Sequence, residues 1–159
     1  AAATAWTNPG NVTADDAADT TAAVPTDYLV TSGYGFTIPP LATILGVTVR
    51  VEASETGAGT SNYVPQLISD TTPTLIGSPK TAVTVSGSTK VISTNGGTAD
   101  LWSAAITPGI VNAAEFGAAF WSTDTTNTLA IDFVTIAIEY AEAGEILMAT
   151  AFAPMMKPL

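Results

Sequence analysis

The sequence predicts an all-β fold, an antiparallel two-sheet β-sandwich of jelly-roll type with extended N- and C-terminal segments. Three observations predict it: short runs of β-branched and aromatic residues recur at near-regular spacing, glycine- and proline-rich breakers separate them, and no run carries the 3.6-residue apolar stripe of an amphipathic helix. Two layers are required because a single open sheet leaves one apolar face uncovered; a small closed barrel is the alternative closure. The 159 residues suffice for one domain with a real core. Residues 1–26 read as an N-terminal arm or long loop, 27–141 as the sandwich, and 142–159 as an apolar, methionine-rich C-terminal tail.

In chain order, the arm holds Trp6, the turn-forming Asn8-Pro9-Gly10-Asn11, and an acidic group, Asp15, Asp16 and Asp19, placed to begin a short helix that no apolar stripe continues. Residues 28–36 read as a strand that Ile38-Pro39-Pro40 stops, because proline has no N–H for a ladder. The strand at 44–52 alternates strictly, with Leu45, Val47, Val49 and Val51 on a buried face and Gly46, Thr48, Arg50 and Glu52 on a wet one. Residues 54–62 predict a surface loop, and 63–69 a strand whose Pro65 argues for a sheet edge or a bulge.

The Val/Thr-rich run 81–93, broken by Ser86-Gly87-Ser88, reads as a hairpin or one long bent strand, and Asn95-Gly96-Gly97 as a turn. Thr107 is placed to cap a single helical turn with Pro108 at its first position. Residues 116–121 and 128–140 supply the last strands. In the second, Val134, Ile136, Ile138 and Tyr140 share one face, and Thr135, Ala137 and Glu139 the other. Ile131 and Phe133 fall out of that phase, which predicts a bulge near Asp132.

Composition narrows the function. Apolar residues make up 47% of the chain and charged ones 11%, well under the ~25% of ordinary soluble domains, so Thr, Ser, Asn and Gly carry much of the solvation. Such surfaces suit capsids and secreted β-proteins and do not suit disorder. Four basic residues, Arg50, Lys80, Lys90 and Lys157, stand against fourteen acidic ones for a net charge of −10, which argues against a nucleic-acid partner and against anionic membrane surfaces. No apolar run approaches the ~20 residues of a membrane span, so a soluble protein is expected. The first residues have neither a basic nor an apolar leader region, and Ala1 suits a trimmed initiator Met, so a cytoplasmically made protein is expected.

The chain contains no cysteine and no histidine. That removes disulfides, thiolate and imidazole metal sites, Cys-His pairs and Ser-His-Asp triads. A carboxylate pair is the remaining catalytic design, but most acids lie in Thr/Gly-rich loops or on wet strand faces. No enzyme activity, catalytic residue or cofactor is expected. Asp15, Asp16 and Asp19 are weak candidates for calcium ligation; they lack EF-hand spacing, and a solvated acidic loop is the plainer account. Trp6, Trp102, Trp121, Tyr28, Tyr34 and Tyr63 can be imagined as a sugar-stacking platform, with core or interface packing as the default.

The tail holds all three methionines. Ile146, Leu147, Met148, Phe152, Met155, Met156 and Leu159 form an apolar segment whose thioethers suit irregular grooves, while Pro154 and Pro158 prevent a continuous helix. It either finishes its own sandwich as a docked strand or reaches onto a neighbouring subunit, and these seven residues are the expected partner-binding set.

Several motifs occur together in order: Trp6-Thr7-Asn8-Pro9 with Asp15-Asp16, then Gly33-Tyr34-Gly35-Phe36-Thr37-Ile38-Pro39, and the Ala-Thr-Ile-x-Gly-Val-x-Val-x-Val strand at 42–51. Later come Gly-Gly-x-x-Asp-Leu-Trp at 96–102, Thr107-Pro108 before Asn112, Glu115-Phe116-Gly117, and Asp-x-Val-x-Ile-x-Ile-x-Tyr at 132–140. Across residues 6–140 this pattern resembles a family of small tailed-bacteriophage virion domains. The resemblance implies a β-sandwich on a phage particle, in head decoration, tail or fibre contexts, and brings no catalytic residues. One domain without a fibrous shaft favours a capsid decoration or cement protein on the virion surface. Its expected partners are the major capsid protein and sister copies, in a small homo-oligomer such as a trimer. The alternatives are a tail- or fibre-associated carbohydrate- or receptor-binding module, and a tail or neck subunit.

Overall fold

The computed structural model describes residues 4–70 and 73–142. Nine strands are found among them: β1 Thr20–Ala23, β2 Leu29–Ser32, β3 Thr43–Glu55, β4 Thr60–Ile68, β5 Leu75–Ile76, β6 Val83–Ser86, β7 Val91–Gly97, β8 Gly117–Trp121 and β9 Thr128–Ala141. One sheet has the order β1-β9-β3-β7, the other β2-β8-β4-β5 with β6 also on β4, and every named strand pair is antiparallel. The two sheets close on one core, as the alternation in β3 and β9 requires. Val47, Val49, Val51, Leu129 and Ile131 of the first layer belong to one buried cluster with Leu29, Tyr63, Leu67 and Phe120 of the second.

The long β3–β9 pair frames the molecule and carries two irregularities. At the first, the register slips between Ile44 and Gly46, so Ile44 is buried and Leu45 is 41% exposed. This corrects the expectation that Leu45 shares the buried face of Val47. An extra residue reverses the side-chain alternation on either side of it. At the second, Glu52 pairs with Phe133 and Ala53 with Ile131, leaving Asp132 as the inserted residue, where the phase break in the sequence put it.

Other elements differ from the sequence reading. The 1–26 segment is more than an arm: β1 hydrogen-bonds along β9, Pro9–Val12 forms a 3-10 turn, and Val12 joins the core. Pro65 lies in an interior strand, between β8 on one side and β5 and β6 on the other, not at an edge. The ladder tolerates it because β6 pairs with β4 only as far as Tyr63 and β5 pairs with it only from Leu67, so the missing N–H falls in the gap between two partners.

The run 81–93 is neither hairpin nor single strand. β6 pairs with β4 and β7 with β3, so the chain crosses from one sheet to the other at Gly87, which adopts φ +65°. Asn95-Gly96-Gly97 lies inside β7 instead of turning. The helical turn α1, Pro108–Val111, forms as expected, with the Ile110 N–H donating to Thr107 Oγ1 at 3.3 Å.

Candidate functional site

Two features stand out on the four-stranded sheet. The first is an acidic cluster at the β9 bulge. The inserted Asp132 is 1% exposed, and its Oδ2 accepts a hydrogen bond from Lys90 Nζ at 2.6 Å. Lys90 immediately precedes β7, on the far side of β3 from β9, and also stands 3.1 Å from Asp19 Oδ1. Glu52, outward-facing on β3, and Asp15 complete the group: one carboxylate oxygen from each of Asp15, Glu52 and Asp132 lies within 4.8 Å of the other two.

Partial burial, then the charges of Asp15 and Asp132, push the Glu52 carboxyl above its ordinary value. Burial opposes the Lys90 charge, but hydrogen bonds to Asp132 and Asp19 outweigh it and hold the ammonium above its usual pKa. Asp132 Oδ1 is buried and has no hydrogen-bond partner. The cluster adjoins a small hollow of about 110 Å³ that Arg50 and Ile92 also line.

Of the three acids singled out in the sequence, Asp15 therefore joins the cluster and Asp19 reaches it through Lys90. Asp16 instead accepts the Ala18 N–H at 3.0 Å and stands apart. Glu52 and Asp132 were absent from that candidate set. The period-two pattern marked Glu52 as wet and the phase break marked Asp132 as irregular, but only strand register brings them together.

The second feature is a cleft of about 710 Å³ between the two sheets, lined by the 3-10 turn, by β2 and the Gly33-Tyr34 step after it, and by residues 133–136 of β9. It exists because β1 is short. β1 covers β9 only from Thr128 to Ile131, and a single bridge from Thr13 reaches Phe133. Past that point, no described residue pairs with the β1-facing side of β9.

The six aromatics do not make one platform. Trp102 and Tyr63 are fully buried in the core, and Tyr28 meets Trp121 edge-on at 5.2 Å. Leu41, Leu45 and Tyr140 are exposed at the end of the β3–β9 pair where the chain leaves toward 143. The partner-binding set Ile146, Leu147, Met148, Phe152, Met155, Met156 and Leu159 lies outside the described residues. No helix among the described residues is long and apolar enough to cross a membrane.

The fold and surface define an all-β, two-sheet antiparallel sandwich with an acidic cluster on one sheet and an open cleft at its edge. Compared with known proteins, the chain matches no family model, no curated protein and no solved structure.

Proposed function

We propose that this chain is a structural protein of a tailed-phage particle, a capsid decoration or cement protein. In this reading it sits on the outer head surface as a small homo-oligomer, and its terminal segments tie it to the major capsid protein and to sister copies. The observation that carries the reading is strand order. With β5 and β6 taken as halves of one interrupted strand beside β4, the strands in chain order run 1-8-3-6 in one sheet and 2-7-4-5 in the other. This order supports reading the sandwich as a jelly roll, an architecture used by viral capsid and lectin domains. The exposed Leu41, Leu45 and Tyr140, beside the point where the apolar tail departs, support contact with other polypeptides at that end.

Deletion of residues 146–159 tests the anchoring role. Copies retained per particle and particle heat stability should both fall, and undiminished occupancy would refute it. Electron microscopy of the particle tests the location, expected on the head and not on the tail.

The cleft supports a second reading, a carbohydrate- or receptor-binding module. Its volume is within the ~300–1,000 Å³ of small-molecule sites, and Tyr34 and Phe133 line it. That reading requires measurable glycan affinity of the isolated protein; a glycan array without hits counts against it.

A further inference from the structure

We propose that Asp15, Glu52 and Asp132 form a calcium-binding site that fastens the N-terminal segment to the sheet at the β9 bulge. Each residue comes from a different part of the chain: Asp15 from the loop between the 3-10 turn and β1, Glu52 from β3, and Asp132 from the bulge in β9. Their oxygens lie within 4.8 Å of one another. Oxygens sharing one calcium ion at 2.3–2.6 Å can be at most about 4.6–5.2 Å apart, so one ion can reach all three.

A cluster of acids alone would be no more than a solvated patch. Asp132 separates this one from that case. It is 1% exposed, Lys90 holds Oδ2, and Oδ1 is buried without a partner. A buried carboxylate oxygen left unmatched is unfavourable, and a cation is the ligand that matches it. Lys90 does not neutralise the group. Asp15, Asp19, Glu52 and Asp132 make four carboxylates against Lys90 and the neighbouring Arg50, an excess of two acidic groups.

The donor set selects the ion. Only carboxylate, carbonyl and water oxygens are on offer in a chain without cysteine or histidine, which suits a hard cation. Ligands drawn from an irregular loop, a strand and a bulge suit the flexible coordination of calcium better than the near-ideal octahedron magnesium demands. Occupancy would bridge residues 15, 52 and 132 and so stabilise the folded state by mass action.

The test is calorimetric titration of the full chain with calcium chloride, together with thermal unfolding in calcium chloride, magnesium chloride and sodium chloride at matched ionic strength. The expected result is saturable binding of one calcium per chain and a calcium-specific rise in Tm. Asp15→Asn and Glu52→Gln, both at accessible positions, should each weaken affinity at least about tenfold while leaving the circular dichroism spectrum unchanged. No binding heat in the wild type, a Tm rise that magnesium or sodium reproduces, or affinity unaffected by both variants would overturn the proposal.

Discussion

Trp102 donates its indole N–H to the carbonyl oxygen of Val47 at 2.9 Å, joining the loop after β7 to the middle of β3 beneath a fully buried ring. Gly96 makes room for it. A Cβ there would lie 2.2 Å from Val47 O and 2.6 Å from Trp102 Nε1, on a backbone at φ +78°. Gly96→Ala should therefore combine left-handed strain of ~1–2 kcal/mol with overpacking of ~1–3 kcal/mol, for a loss of about 2–5 kcal/mol. The check is a fall in the urea midpoint at constant m; a wild-type midpoint would show that the ring yields freely.

Lys90 and Asp132 form the most buried ion pair among the described residues, with side chains 23% and 1% exposed. Lys90→Met strands a buried carboxylate and should lower stability by about 3 kcal/mol. Lys90→Met combined with Asp132→Leu should recover much of that loss, since the buried carboxylate leaves together with its cation and only the partly exposed Asp19 loses its contact. Chemical denaturation of the two variants measures the difference, and a double variant no better than the single one would refute the pairing argument.

Asn112, the residue after α1, clamps the segment before the two prolines. Its Oδ1 accepts the Ile38 N–H and its Nδ2 donates to the Ile38 carbonyl, both at 2.8 Å. Asn112→Ala leaves both backbone groups without those partners at a partly exposed site and should destabilise by about 1–2 kcal/mol. Amide exchange at Ile38 should accelerate in the variant, which distinguishes loss of the clamp from a general loss of stability.

The hydrogen bond from Lys80 holds the Asp100 carboxyl below its ordinary value of 3.8; burial opposes this, and the Trp102 N–H adds to it. Lys80 also lies 4.7 Å from the Trp102 ring centroid. A folded pKa below the unfolded one means the contribution is fully present above about pH 4 and drains away as pH falls through the lower folded value. The stability gap between wild type and Asp100→Asn should thus be constant near neutrality and shrink at the acid end. A gap independent of pH down to 2 would show that the pairing does not depend on charge. The side chains are 24% and 38% exposed, so the effect is small.

Legibility in the sequence followed the range of the interaction. The cap at Thr107 and the bulge at Asp132 involve neighbours within a few positions, and both were visible as local patterns. Pro65 and Gly96 carried equally clear local signals, yet each was answered by a distant element: a gap between β6 and β5 in one case, the Trp102 ring in the other. The acidic cluster was half visible, because Asp15 and Asp19 sit in one loop while Glu52 and Asp132 reach it through strand pairing.

Alternating side chains along the two longest strands, β3 and β9, determined that these segments are strands, which face each buries except at Leu45, and that two layers must meet. Which strand lies beside which was decided only in three dimensions. Backbone hydrogen bonds between strands are nearly blind to side-chain identity, so many pairings satisfy the same alternation. The closure of all nine strands around one core selects among them. That selection brings carboxylates from residues 15, 52 and 132 together and leaves the edge of β9 open beyond β1.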